Sequence, residues 1–297
     1  IKGRPAPYAV INGDDAYGQQ LLGELKVPFI SYGCSERCHI RASQISLAAE
    51  GVSFDLESPI GGRRVDLAMS GLFTVYNALA AVGVGLACKV DLEEILLAIE
   101  SVSHVAGRFE SIREGQDFAV VVDYAHTPDG LEKLLHSARQ ITQGKLHVIF
   151  GCGGDRDAGK RPVMGEIAGR LADRVVLTSD NPRSESPAKI LEEIQSGMVA
   201  PRAFVEVEYE RAQAIFHTIA SAEAGDTVVI AGKGHETYQI LADRVIDFDD
   251  REVARQALRG RMFRGKGALR TPSMIWHERR RAPHSSSESG LASAGET

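Results

Sequence analysis

A chain of 297 residues is long enough for about two domains, each with its own core, and a hydrophobic share of 43 % with 25 % charged residues is ordinary for a globular protein. A net charge of -6 leaves no global basic excess, which argues against a nucleic-acid partner. No basic segment leading into an apolar stretch stands at the N-terminus, so no secretory signal is expected and the cytoplasm is the expected compartment.

The run Tyr8-Ala9-Val10-Ile11-Asn12 reads as a strand, followed by a helix from Gln19 to Leu25 and a strand at Phe29-Ile30. Cys34-x-x-x-Cys38-His39 has the look of half a metal site, but no second pair of suitably spaced ligands follows. With Cys88 and Cys152 these are expected to be unpaired thiols. The alternating segments His39 to Ala42 and Val52 to Leu56 suit half-exposed antiparallel strands. Leu67 to Cys88 holds no charged residue and is long enough to cross a bilayer, yet Ser70, Thr74, Tyr76 and Asn77 interrupt it and many other positions are Ala or Gly. A helix packed between a sheet and a neighbouring domain is expected, with no membrane partner. Asp91 is a good N-cap for a helix to Glu100, with Glu93 and Glu94 in its first turn, and a domain boundary is placed near Ser103 to Gly107.

From there apolar, β-rich runs recur at Phe118 to Val122, Leu146 to Phe150, Val175 to Leu177 and Thr227 to Ile230, alternating with amphipathic helical segments. The fold class is therefore α/β, with a mostly parallel sheet covered by helices, and such sheets bind ligands outside the carboxyl ends of their strands. The expected domains are residues 1–104 and 105–258. Residues 259–297, basic and then Ser/Gly-rich, are expected to be a disordered tail.

Four motifs sit at those strand ends. Asp180-Asn181-Pro182-Arg183 is the most informative: a guanidinium matches a carboxylate with two parallel hydrogen bonds, and Asp180 and Asn181 can accept from an ammonium. That suits an amino acid, although taken alone the tetrad is an Asx-Pro turn with a surface arginine. Gly151-Cys152-Gly153-Gly154-Asp155-Arg156-Asp157-Ala158-Gly159-Lys160-Arg161 opens a helix from Pro162 to Leu171 and contains a near P-loop. Arg161 stands where a Ser or Thr would hold magnesium, so an anion site is expected rather than nucleotide hydrolysis. In Asp123-Tyr124-Ala125-His126-Thr127-Pro128-Asp129, Asp123 could hold a ribose hydroxyl and His126 contact phosphate or handle a proton, though Thr-Pro-Asp is also an ordinary helix start. In Ala231-Gly232-Lys233-Gly234-His235-Glu236, two glycines allow close backbone approach while Lys233 and Glu236 offer opposite charges.

Together with Gly107-Arg108-Phe109-Glu110, these segments resemble the C-terminal domain of the Mur ligases, nearest to the diaminopimelate-adding branch. Tyr76-Asn77-Ala78-Leu79-Ala80-Ala81 and Ala9-Val10-Ile11-Asn12-Gly13-Asp14-Asp15 resemble the latter half of that family's central ATP-binding domain, so the likeness runs from about Tyr8 to Leu258. The resemblance implies an amide ligase of peptidoglycan synthesis that joins meso-diaminopimelate to UDP-MurNAc-L-Ala-D-Glu through an acyl phosphate, using ATP and Mg2+. It further implies that Asp180, Asn181 and Arg183, completed by Arg161, Gly232 and Glu236, bind diaminopimelate. Asn77 would meet adenine, Arg108 the nucleotide, Asp123 the ribose and His126 the ATP site, with His126 and Lys233 as catalytic candidates.

Lysine lacks the distal carboxylate of diaminopimelate and would leave Arg183 and Arg161 unpaired, so a preference for diaminopimelate is expected. The family's UDP-binding domain, Walker loop and magnesium ligands have no counterpart here. The chain is accordingly expected to be a piece of a longer ligase, monomeric, without metal ligands of its own and inactive towards ATP as it stands. The alternatives are a lysine-adding, D-alanyl-D-alanine-adding or folylpolyglutamate-type ligase, or a non-catalytic diaminopimelate-binding protein.

Overall fold

The computed structural model describes residues 8–264 and the strand Glu278–Arg279. The first part contains β1 (Ala9–Asn12), α1 (Ala16–Glu24), β2 (Phe29–Gly33), β3 (Ile40–Ala48), β4 (Gly51–Glu57), β5 (Arg64–Leu67), α2 (Leu72–Ala87) and α3 (Leu92–Glu100). Its sheet runs β1-β2-β3-β4-β5, parallel through β3 and antiparallel beyond. The period-2 pattern of β4 sends Val52, Phe54 and Leu56 into a core with Val75, Leu79 and Val82 of α2 and Leu96 of α3. The uncharged stretch is thus the inner helix α2, and no described helix is long and apolar enough to cross a membrane. Asp91 caps α3 by accepting from the amides of Glu93 and Glu94.

The second part contains β6 (Glu110–Ser111), β7 (Ala119–Asp123), α4 (Pro128–Ile141), β8 (Leu146–Phe150), α5 (Lys160–Leu171), β9 (Arg174–Leu177), α6 (Pro187–Ser196), β10 (Phe204–Val207), α7 (Arg211–Ser221), β11 (Thr227–Ala231), β12 (Tyr238–Ile240), β13 (Val245–Asp247) and α8 (Asp250–Arg264). The six-stranded sheet has the order β10-β9-β8-β11-β7-β6, parallel except for β6. One face packs against α4, α5 and α6 through Leu131, Leu135, Ile167, Ile190 and Ile194, the other against α7 and α8 through Ile215, Ile219, Val253 and Leu258. Covered on both sides, β8 and β11 are buried at every position, which is why they read as unbroken apolar runs. A small antiparallel sheet joins β12, β13 and β14 (Glu278–Arg279).

The two parts meet where the Phe73 and Phe109 rings pack edge to face at 5.5 Å and Arg113 Nη2 donates to the Ala49 carbonyl at 3.1 Å. Helix α8 also runs past the expected start of the tail at Arg259. Arg259 pairs with Glu114 at 2.8 Å, and Arg261 donates to the Ile219 carbonyl at the end of α7 at 2.7 Å and lies over the Phe118 ring. Docking supplies an order that the local composition does not show. The remainder of the expected tail, residues 265–277 and 280–297, lies outside the described residues.

Candidate functional site

The turns after β9, β8, β11 and β7 carry the four motifs, and these strands are consecutive neighbours in the sheet. Their carboxyl ends therefore form one contiguous rim. After β8 the chain turns right towards β9 through α5, while β11 lies on the other side, so the rim includes the crevice expected at a reversal of strand order. Contact along it is close. A Cβ on Gly232, where φ is +112°, would stand 2.7 Å from Asp180 Oδ2, and one on Gly107 would collide with the His235 amide.

Lys233 is fully buried, and its Nζ lies 3.1 Å from Asn181 Oδ1 and 3.0 Å from Glu236 Oε2. Asn181 Nδ2 donates to the same Glu236 oxygen at 2.9 Å, and its Oδ1 also accepts from the Ile240 amide at 2.9 Å. This closed triangle makes Lys233 a buried anchor and uses the Asn181 side chain to hold the turn. The acceptors left for an ammonium are the Asp180 carboxylate, which receives no hydrogen bond among the described residues, and the outer oxygen of Glu236.

The arginines divide sharply. Arg161 is 1 % exposed, donates to both Glu185 oxygens at 2.9 Å and to Glu193 at 2.6 Å, and reaches the Gly153 carbonyl at 3.2 Å. With Glu185 and Glu193 as its partners, Arg161, the second residue of α5, pins that helix to the loop and to α6. Arg183 is different. It is half-buried, with φ at +53°, and its Nη1 donates to the carbonyls of Gly154 at 2.8 Å and Asn181 at 3.4 Å, with no carboxylate within salt-bridge range among the described residues. Arg156, exposed in the loop, has only the Asp155 carbonyl at 3.2 Å. A Cβ on Gly153 would lie 2.9 Å from Arg183 Nη1 and 3.7 Å from Arg156 Cγ, so this glycine keeps open the ground between two unneutralised cations. Nothing in the sequence showed that Arg161 turns inward while Arg156 stays exposed.

Hydrogen bonds from Arg161, reinforced by the Asp155 amide, pull the Glu185 carboxyl down from 4.5 to about 2. A depressed carboxylate pKa means stability that is whole above the ordinary value near 4.5 and is lost as the pH falls through about 2. Acid unfolding followed by circular dichroism is expected to show a shallower loss for Glu185→Gln than for the parent in that window; parallel curves would contradict it.

The first part of the chain contributes a second feature. A cleft of about 850 Å3 between the two parts is lined by Asn77, Arg108, Phe109, Asp123, Lys133 and Ser137 among others, which brings together three of the expected nucleotide residues. Arg108 lies 4.8 Å above the Tyr124 ring, which also packs against His126 at 4.6 Å and His235 at 5.2 Å. His126 Nδ1 donates to the Tyr124 carbonyl at 2.9 Å, leaving Nε2 as the free ring nitrogen, and the His126 carbonyl accepts from Lys160 at 2.7 Å. The two oxygens of Asp123 accept from the Phe109 and Ala125 amides at 2.7 Å each. Burial raises its pKa despite these bonds, and it serves first to fix the loop that carries Arg108. Among the described residues no group of three or more His, Cys, Asp or Glu is placed to hold a metal ion.

Comparison with known proteins gives the family. Residues 2–85 match the Mur ligase middle domain, and residues 107–234 match the Mur ligase glutamate ligase domain. A relative from Thermosynechococcus vestitus named UDP-N-acetylmuramoyl-L-alanyl-D-glutamate--2,6-diaminopimelate ligase is 48 % identical over 265 residues, covering 88 % of this chain and 52 % of its own. One of the same name from Geobacillus thermodenitrificans is 46 % identical, covering 87 % and 53 %. A solved structure of a ligase of that name superposes with a TM-score of 0.64 at 34 % identity, over 86 % of this chain and 53 % of its own. A MurF structure from Acinetobacter baumannii, at 20 % identity and a TM-score of 0.58 over 78 % and 50 % of the chains, shares the fold. The chain spans about half the length of the curated relatives it matches. It carries the middle and C-terminal domains of a Mur ligase and belongs to that family.

Proposed function

We propose that this chain supplies the amino-acid pocket and part of the nucleotide site of a ligase that joins meso-diaminopimelate to UDP-MurNAc-L-Ala-D-Glu at the expense of ATP. The observation that carries the reading is Arg183, a half-buried guanidinium with no carboxylate partner among the described residues, beside a paired set of acids. Lys233 offsets one of the Asp180 and Glu236 charges, leaving a single net negative charge for an ammonium. Arg183, with Arg156 across Gly153 from it, offers the opposite charge for a carboxylate. The distal end of a diamino dicarboxylate carries both, where the distal end of lysine carries the ammonium alone.

In the reaction that the family performs, negative charge builds on the acyl phosphate and then on a tetrahedral intermediate. Arg108, which lines the cleft, and Lys160, bonded to the His126 carbonyl at the start of α5, are the cations available to offset that charge, and Asn77 lines the cleft as a candidate contact for the base. ATP supplies the phosphoryl group, and the Mg2+ that accompanies it finds no donor cluster among the described residues. His126, whose Nε2 has no hydrogen-bond partner among the described residues, is the candidate for handling a proton from the attacking amine. Equilibrium dialysis of the chain against radiolabelled meso-diaminopimelate tests the pocket: saturable binding at one site is expected, and preferential retention of D-alanyl-D-alanine or glutamate in competition would overturn it.

A further inference from the structure

Beneath the amino-acid pocket lies a buried ion pair with no direct part in the chemistry above. Arg211 is the first residue of α7 and Asp250 the first of α8, and both side chains are fully buried. Arg211 Nε donates to Asp250 Oδ1 at 2.7 Å and Nη2 to Oδ2 at 2.8 Å. The remaining bonds leave the helices. Nη2 also donates to the Ala231 carbonyl at 2.9 Å, and Nη1 reaches the Ser179 carbonyl at 3.5 Å.

Those two carbonyls belong to the residues immediately before Gly232 and Asp180. Ala231 ends β11 and Ser179 lies two residues beyond the end of β9, and these strands are not neighbours, because β8 lies between them. The ladder therefore does not tie the two turns to each other at the point where β8 turns away. Arg211 spans that gap. A buried ion pair is a poor source of net stability compared with apolar packing of similar volume, so its stability contribution alone does not explain it. The fit above it has no slack, given the 2.7 Å that would separate a Gly232 Cβ from Asp180 Oδ2. Burial opposes the Arg211 charge, while Asp250, and beyond it Asp180 and Glu236, support it, so the pair is linked electrostatically to the pocket acids as well.

We propose that Arg211, held by Asp250, is a positioning residue of the amino-acid pocket, fixing the separation of the β9 and β11 turns so that Asp180 and Gly232 meet one ligand. The assignment rests on the reading of that pocket as an amino-acid site. Arg211→Lys keeps the charge but loses the planar fork that reaches both carbonyls, and Asp250→Asn keeps the volume but loosens the fork.

Calorimetric titration of meso-diaminopimelate and, separately, ATP into the parent chain and both variants tests it. The expected result is a diaminopimelate Kd about tenfold weaker or more in each variant, at one site per folded chain, with the ATP Kd within about twofold. A merely structural role would lower Tm and the fraction of competent sites while leaving the Kd of those sites unchanged. Should Asp250→Asn fail to fold, Arg211→Lys alone decides. A parent chain that does not bind diaminopimelate overturns the amino-acid reading and this role with it; a parent that binds, with a variant that binds equally well, overturns this role alone.

Discussion

Replacing Arg183 by alanine is expected to weaken meso-diaminopimelate binding by about 100-fold, the effect of losing a charge-assisted pair in a partly desolvated site. The guanidinium is half-buried and its structural bonds are two carbonyl contacts from one nitrogen, so thermal stability should change by about 1 kcal/mol or less. Arg183→Lys keeps the charge without the planar fork and is expected to fall between, about tenfold weaker than the parent. Calorimetric Kd values for the three proteins, with ATP as a control whose affinity stays within about twofold, check the series. Equal loss of ATP affinity would show that the residue supports the whole rim rather than the amino-acid end.

Lys233→Met is expected to be the costliest substitution at the site. It removes the buried cation between Asn181 and Glu236 and leaves Glu236 Oε2 with only the Asn181 amide. Breaking a buried ion pair costs about 3–5 kcal/mol, and the partial exposure of Glu236 places this case near 3 kcal/mol, a fall in Tm of roughly 10 °C. The double variant Lys233→Met/Glu236→Gln should regain much of that stability, because no unpaired charge remains, while diaminopimelate affinity stays low. Differential scanning calorimetry distinguishes this anchoring role from a catalytic one, which predicts an unchanged Tm.

The parallel sheet and the motif-bearing turns at its strand ends were legible because the signals are local: unbroken apolar runs such as Val228 to Ile230, followed by glycine or Asx residues. The identities of the site arginines were not. Arg156 and Arg161 lie five residues apart in one motif, and only the arrival of Glu185 and Glu193 from elsewhere in the fold decides which is neutralised. Asn181 and Lys233 were read as groups facing a ligand because their partners, 52 residues apart, cannot be paired from sequence. Arg211 and Asp250 carried no motif at all, since a buried bidentate pair joining two helix starts has no spacing rule. Helix α8 outran its composition for the same reason: Arg259 and Arg261 dock on partners far away in the chain.

The central claim is that the pocket selects a distal carboxylate through Arg183. Competitive calorimetry of meso-diaminopimelate against L-lysine, in the parent and in Arg183→Ala, measures that selection directly. The structure predicts a preference for diaminopimelate of at least about 100-fold in the parent, collapsing towards parity in the variant as the unpaired-cation penalty disappears. Equal affinity for the two amino acids in the parent, or a preference that survives the loss of Arg183, would contradict it.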